Sequence, residues 1–242
     1  MAAKKEEIIA KLRQDIISWE GFRPAKPGET SDFGLGPIEQ AFPNQIFPTG
    51  VLHEFISARP EHTAAIGGFI AALMKTLLKD GGCCIWVSYT RRIYPPALIR
   101  FGLSPDRIVF IDVQREKDAL WVAEEALKCP GIAAVVCETR ELNNMESRRL
   151  QLVIEQSHVT GFILRKDTRM ISNTVSAAKW AVKPVRSKLR TGLPGVGHPR
   201  WRVDLLKVKN GQTGSWTLEW KNSGFLHIKQ ANELPSTQRR YA

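Results

Sequence analysis

Residues 51–88 read VLHEFISARPEHTAAIGGFIAALMKTLLKDGGCCIWVS, and this stretch decides the fold. Its first seven residues, Val51 to Ser57, form a short apolar run that predicts a buried strand. From His62 to Lys79, apolar side chains recur at helical spacing, which predicts a helix that ends at Asp80-Gly81-Gly82. Cys83 to Ser88 is a second continuous apolar run. A strand, a helix and another strand in this order predict a βαβ unit with two parallel strands.

Apolar strands and amphipathic helices keep alternating up to residue 165. Further strands are predicted at 108–113, 132–137 and 161–165, and helices at 96–101, 117–128 and 145–156. This order indicates an α/β fold with a mostly parallel β-sheet flanked by helices and joined by right-handed crossovers. After residue 175 an aromatic-rich alternation predicts a C-terminal antiparallel β extension with strands at 177–182, 201–208, 215–220 and 225–228. An Asn210-Gly211 step between two of these strands predicts a hairpin.

The composition is that of a globular protein with one sizeable domain: the chain has 242 residues, 43% hydrophobic and 24% charged. No apolar run approaches the roughly 18 to 20 residues of a membrane-spanning helix, and the charged N-terminus lacks a signal-peptide segment. We therefore expect a cytoplasmic protein that does not enter a membrane. The four cysteines lie beside apolar residues without metal-ligand spacing, so we expect buried free thiols and no metal site.

The two ends of the chain differ from its body. Residues 4–19 are predicted to form an amphipathic helix, and Gly21 to Gly36 is rich in glycine and proline and reads as a linker. The helix either stands apart to dock on a partner or folds back on its own core, through the apolar stripe Ile8, Leu12, Ile16 and Trp19. We divide the chain into residues 1–32 (helix and linker), 33–230 (main domain) and 231–242 (disordered tail).

The turn after the first predicted strand is where an α/β fold of this kind holds a nucleotide phosphate. A phosphate-binding loop there needs the pattern Gly-x-x-x-x-Gly-Lys-Ser/Thr, whose glycines, lysine and hydroxyl grip phosphate and magnesium. In this chain Ser57 and His62 stand in place of the glycines, Thr63 in place of the lysine and Ala64 in place of the hydroxyl. We therefore expect no ATP hydrolysis, no bound cofactor and no catalytic residue.

Positive charge is concentrated near the C-terminal third. The net charge is +11, and residues 183–202 contain no acid but six cations: Lys183, Arg186, Lys188, Arg190, Arg200 and Arg202. This segment also holds several glycines and prolines and is predicted to be a mobile basic loop. Such a loop could contact single-stranded DNA, dock an acidic protein surface or simply be solvated.

Seven stretches, in order, resemble the ImuA family, RecA-related accessory proteins of bacterial mutagenic translesion synthesis. They span about residues 33–220: Phe33–Gly36 with Ile38–Pro43, Pro48–Phe55, Ile85–Ser88, Asp118–Trp121 with Glu124–Leu127, Ser147–Leu152, His198–Leu205 and Gly214–Trp220. The resemblance implies a RecA-like core followed by a β extension. It also makes Glu138, at the end of a predicted strand, similar to a Walker B acid, while no acid follows Ser88 where RecA has its catalytic glutamate.

The resemblance implies a non-catalytic adaptor in SOS-induced, error-prone translesion synthesis. Its partners would be an ImuB-like relative of the Y-family polymerases, RecA, and indirectly an error-prone DNA polymerase. In RecA a flexible loop at a position similar to the basic segment contacts single-stranded DNA, and a homo-oligomer is a further open possibility. Two other functions stay open: a cell-division inhibitor resembling SulA, and a RecA-type ATPase with an atypical phosphate loop.

Overall fold

The computed structural model describes residues 32–90, 93–166, 168, 172–188 and 197–228. The predicted helix of residues 4–19, with Ile8, Leu12, Ile16 and Trp19, and the predicted tail of residues 231–242 lie outside these residues. The expectations for both segments therefore stay predictions.

The described residues form nine strands and three α-helices, with short 3₁₀ helices between them. The strands are β1 (Leu52–Ile56), β2 (Cys83–Ser88), β3 (Ile108–Asp112), β4 (Ile132–Thr139), β5 (Thr160–Arg165), β6 (Ala178–Pro184), β7 (Arg200–Val208), β8 (Gly214–Lys221) and β9 (Gly224–Ile228). The α-helices are α1 (Pro60–Leu77), α2 (Glu116–Leu127) and α3 (Asn144–Ser157). The 3₁₀ helices are Gly36–Ala41, Pro43–Gln45, Pro95–Phe101 and Pro105–Arg107.

All nine strands belong to one sheet, in the order β3-β2-β4-β5-β1-β6-β7-β8-β9. Neighbouring strands from β3 to β6 are parallel, and those from β6 to β9 are antiparallel. The predicted α/β fold, with a mostly parallel sheet and a C-terminal antiparallel extension, is therefore confirmed. In this order the carboxyl ends of β2, β4, β5 and β1 lie side by side at one edge of the sheet.

The predicted strands and long helices all occur, with ends that move by at most two residues. Two of these elements differ in detail from the prediction. The short helix expected at 96–101 occurs as a 3₁₀ helix that begins at Pro95, where the Pro95-Pro96 pair removes two backbone donors. Helix α1 begins at Pro60 instead of His62, because proline with its fixed φ is favoured in the first helical turn.

Helices cover the two faces of the sheet unequally. Helix α1 packs on one face and is buried along most of its length, while α2 and α3 pack on the other face over β2, β4 and β5. On its outer side α1 approaches the 3₁₀ helix Pro95–Phe101. A Cβ atom at Gly68 would lie 2.9 Å from the Phe101 ring, so glycine permits this close approach.

An aromatic cluster joins the parallel and antiparallel parts of the sheet. The ring of Phe69 on α1 lies 6.3 Å from Phe55 on β1, 6.0 Å from Trp180 on β6 and 5.4 Å from Phe225 on β9. Since aromatic side chains bury large apolar areas, this cluster binds the C-terminal extension to the core. The hairpin predicted at Asn210-Gly211 connects β7 and β8, and Asn210 has a positive φ of 57° there.

The cysteine expectation held only in part. Cys84 and Cys137 are buried, but Cys83 is partly exposed and Cys129 is exposed, because Cys129 lies just past the end of α2 before Pro130. All four are free thiols. Within the described ranges no helix is both long and apolar enough to cross a membrane.

His53 on β1 is a fully buried polar side chain in this aromatic core. Its ring stacks on Phe47 at 4.7 Å, its Nε2 lies 2.8 Å from the Pro48 carbonyl oxygen, and Trp180 Nε1 donates to its Nδ1 at 3.3 Å. Because the indole N–H can only donate, we assign the hydrogen to Nε2 of a neutral ring. Burial lowers the pKa of His53 to about 4.

This geometry predicts a pH-dependent stability. The folded protein keeps His53 neutral down to about pH 4, while the unfolded chain takes up a proton near pH 6.5, so stability falls as pH drops through this window. At 1.36 kcal/mol per pKa unit the loss is about 3 kcal/mol. Urea unfolding of wild type and His53→Gln between pH 7 and 4 should show their difference in stability shrinking by that amount. A constant difference would contradict the assignment, and His198→Gln, whose side chain is exposed, should follow the wild-type profile.

Candidate functional site

The turn between β1 and α1 is only three residues long, Ser57 to Arg59. Helix α1 thus begins inside the stretch Ser57–Ala64 that is compared with the phosphate-binding pattern, so the second half of this stretch is helical. Ser57 Oγ donates to the Arg59 carbonyl at 2.9 Å and shares a 2.7 Å hydrogen bond with Thr63 Oγ1. The backbone N–H groups of His62 and Thr63 donate to the same carbonyl, at 3.0 and 3.1 Å. The turn is thus closed by hydrogen bonds within the chain.

The residues aligned with the phosphate-gripping pattern lie mostly inside α1. Thr63 is buried in its first turns, His62 is half-buried and Ala64 is exposed. At the start of the helix Pro60 offers no N–H. The next residue, Glu61, carries an exposed carboxylate. The pKa of this carboxylate is lowered by a hydrogen bond from the backbone N–H of Glu61 itself and by the neighbouring Arg59 side chain. The positive end of the helix dipole, which attracts anions, therefore faces a carboxylate of the chain itself.

Glu138, the residue similar to a Walker B acid, forms a buried ion pair at the end of β4. Its Oε1 accepts a 2.8 Å hydrogen bond from Trp86 Nε1, and its Oε2 is in contact with the ammonium of Lys166, which follows β5. Both charged side chains are only 2% exposed. Lys166 Nζ also donates to Thr90 Oγ1 at 3.0 Å and lies 4.9 Å from the centre of the Tyr89 ring. Tyr89 and Thr90, the two residues that follow β2, thus contact this lysine, and neither is an acid.

A second buried charge cluster lies on the other face of the sheet. Glu54 on β1 pairs with Arg165 at the end of β5, at 2.8 Å, and with Lys179 on β6, at 3.1 Å. The hydroxyls of Thr174 and Ser176 also donate to Glu54. Burial alone would raise the pKa of Glu54, but these donors and the two cations more than offset it, so the pKa lies below its ordinary value. Burial lowers the pKa of Lys179.

Consecutive residues supply the two clusters. Side chains alternate between the faces of a strand, so Arg165 points to the α3 side and Lys166 to the α1 side. The sequence analysis missed Glu54, Arg165, Lys166 and Lys179. A signal was present: Glu54 and Lys179 are single charges within apolar strands, and a buried charge requires a partner.

Strands β6 and β7 extend into the two ends of the predicted basic loop, and between them residues 185–188 and 197–199 belong to neither a strand nor a helix. Lys183 belongs to β6, and Arg200 and Arg202 belong to β7, because the antiparallel pairing extends into the segment. Lys183 and Arg202 both contact Asp204, at 3.1 and 3.0 Å, and Arg200 pairs with Glu219. Arg186 and Lys188 are exposed beyond β6, and Arg190 lies outside the described residues.

The structure therefore gives two separate candidate surfaces. The closed turn and the Glu138–Lys166 pair lie at the carboxyl edge of the parallel strands, and the basic side chains lie on the antiparallel extension. In the described part of the chain no three His, Cys, Asp or Glu side chains are arranged to hold a metal ion.

Removing one member of the buried Glu138–Lys166 pair should be costly. Lys166→Met leaves a buried carboxylate without a counter-charge, which typically costs about 3–5 kcal/mol. The double variant Lys166→Met/Glu138→Gln should recover most of this loss, because the glutamine oxygen can still accept from Trp86. Urea unfolding at pH 7 measures both. Equal stability of wild type and Lys166→Met would contradict the pairing, and Lys183→Met, in an exposed pair, should cost less than about 1 kcal/mol.

Comparison with known proteins gives the family. No protein-family model matches the chain. The chain is 30% identical over 210 residues to Protein ImuA from each of two strains of Caulobacter vibrioides, and the alignment covers 82% of this chain and 86% of the relative.

A solved structure has the same fold. A KaiC-like protein from the archaeon Pyrococcus horikoshii OT3 superposes with a TM-score of 0.55, over 85% of this chain and 100% of that one. Its sequence identity is 11%, so it supports the RecA-like fold alone. At the identity and coverage shared with the two Caulobacter proteins, the chain belongs to the ImuA family.

Proposed function

We propose that this protein is a non-catalytic, RecA-like adaptor of SOS-induced, error-prone translesion synthesis. It binds an ImuB-like relative of the Y-family polymerases and RecA, and through them it serves an error-prone DNA polymerase in the cytoplasm. The observation that carries the non-catalytic part is the buried pair of Glu138 and Lys166. Membership of the ImuA family supports the setting in translesion synthesis.

Physical chemistry supports a site without ATP turnover. A magnesium ion at Glu138 would have to displace a buried ammonium that also bonds Thr90. A phosphate at the start of α1 would meet the carboxylate of Glu61 and a turn whose hydroxyls already bond each other. With no lysine at the position of Thr63, the phosphate charge would also lack its usual counter-ion. These features favour a RecA-like surface used for binding alone.

Contact with single-stranded DNA would be secondary. Three cations of the basic segment, Lys183, Arg200 and Arg202, are partly neutralised by Asp204 and Glu219, which lowers their attraction for phosphate. Arg186 and Lys188 continue this basic surface from the end of β6. We therefore propose that the basic segment helps to position the complex on DNA after the protein partners have bound.

Complex formation tests this function. The full-length protein is titrated onto the immobilised ImuB-like protein of the same organism, and separately onto RecA filaments on single-stranded DNA. We expect saturable binding to the ImuB-like protein. Its affinity should be the same with and without ATP and magnesium, because the carboxyl edge of the parallel strands plays no part in this binding. The double variant Lys166→Met/Glu138→Gln, if it folds, should bind equally well. Absence of binding to both partners would refute the adaptor function.

A further inference from the structure

Strands β6–β9 have one face that α2 and α3 do not cover. The large apolar side chains of these strands, among them Trp180 and Trp201, belong to the core under α1. The core under α2 and α3 includes no described side chain from the four strands. Residues directly opposite each other in paired strands share a face, so Lys183, Arg202 and Thr217 lie side by side on the uncovered side. We name this side of β6–β9 the open face.

Positive charge exceeds negative charge on the open face. Apart from the buried Lys179, its charged side chains are Lys183, Arg200, Arg202, Lys207 and Lys221, with the carboxylates Asp204 and Glu219. Two further exposed cations, Arg186 and Lys188, follow the end of β6. Seven cations therefore stand against two carboxylates, an excess of five positive charges.

The two carboxylates do not neutralise the whole face. Asp204 and Glu219 pair with three cations of the predicted basic loop. The exposed Lys207 donates to the backbone carbonyl of Thr174, at 3.4 Å, which leaves its charge uncompensated. Neither Lys207 nor the exposed Lys221 forms an ion pair with another residue of the described ranges. Both lie outside residues 183–202, so the open face is wider than the predicted basic loop.

The cations of the open face follow the direction of β6 and β7. Arg200, Arg202 and Lys207 span seven residue steps of β7, which is about 23 Å at the usual rise of a strand. Lys183 lies beside Arg202 on β6, and two more cations continue past the end of that strand. Positive charge that repeats along a line is complementary to a polyanion with regularly spaced charges, such as a nucleic-acid backbone.

The open face has no aromatic platform among its described residues. The aromatic side chains of β6–β9 lie in or against the core under α1. Small and hydroxylic side chains, Ala181, Ser215 and Thr217, lie between the cations instead. Stacking on aromatic rings is the usual means of holding unpaired bases. Contacts at the open face are therefore limited to the backbone of a nucleic acid.

We propose that the open face binds the phosphate backbone of DNA and does so without reading the base sequence. The cations along β6 and β7 contact successive phosphates, and Lys207 extends this contact beyond the predicted basic loop. The choice of DNA among polyanions rests on the proposed function, because translesion synthesis takes place on DNA.

Fluorescence anisotropy with the full-length protein tests the open face. The probes are a labelled oligo-dT strand and a labelled duplex of equal length, titrated between about 50 and 200 mM salt. We expect Lys207→Gln to weaken binding about five- to eightfold at roughly 0.1 M salt and to lower the slope of log affinity against log salt by about one. Because Lys207 is exposed, this variant should keep wild-type stability.

A matched control separates the open face from the net charge of the protein. Lys79→Gln removes the same charge from an exposed position just past the end of α1, on the other side of the sheet. Because salt screens charges that are far from the bound DNA, Lys79→Gln should bind within about twofold of wild type. Equal weakening by Lys207→Gln and Lys79→Gln would overturn the open face, since binding would then follow net charge alone.

Three other outcomes would also overturn the inference. In the first, wild type binds neither the strand nor the duplex. In the second, Arg186→Gln/Lys188→Gln weakens binding while Lys207→Gln has no effect, so that the contact belongs to the residues after β6 alone. In the third, poly-glutamate displaces the probe as well as unlabelled oligo-dT of equal charge does, so that the face accepts an acidic protein surface.

Binding of the same proteins to the immobilised ImuB-like protein keeps the open face and the adaptor function distinguishable. We expect Lys207→Gln to bind the ImuB-like protein as wild type does. If wild type binds the ImuB-like protein and no DNA, the open face is wrong while the adaptor function stands. If wild type binds DNA through Lys207 and binds neither protein partner, the adaptor function is wrong while the open face stands.

Discussion

Two neighbouring residues at the end of β5 fix the charges on both sides of the sheet. Arg165 pairs with Glu54 on the face of the sheet that α3 covers, and Lys166 pairs with Glu138 on the face that α1 covers. A buried charge without a partner costs several kcal/mol, so each pair constrains the register of the strands that carry it. Glu54 lies on β1 and Glu138 on β4, the two neighbours of β5. The centre of the parallel sheet thus depends on these two adjacent cations.

The same constraint determines what the carboxyl edge of the sheet can do. In a nucleotide-binding fold this edge is where backbone donors, a lysine and a metal ion meet the phosphates. Here Lys166, which follows β5, forms an ion pair with the carboxylate of Glu138 on β4, and the hydroxyls of the turn after β1 bond within the chain. The aromatic core around Phe69 joins the parallel and antiparallel parts of the sheet.

The sequence predicted the fold well, because continuous apolar runs and helical periodicity are local signals. It predicted the loss of the phosphate pattern residue by residue, through Ser57, His62, Thr63 and Ala64. It did not predict Lys166 or Arg165 as partners, since both pairs cross strands whose register is set only by folding. The ends of the basic segment were missed for a related reason. Its glycines and prolines indicate a loop, but antiparallel pairing extends β6 to Pro184 and begins β7 at Arg200, so Lys183 and Arg200 belong to strands.

The protein's own buried charges, Glu138 and Lys166, occupy the carboxyl edge of the parallel strands. Isothermal titration calorimetry of the wild-type protein with ATP and magnesium tests this occupancy directly, with an active RecA as the positive control. We expect no saturable heat for this protein under conditions in which RecA binds. A saturable heat that disappears in Glu138→Ala would contradict the account, because it would mean that magnesium and nucleotide can displace Lys166 from Glu138.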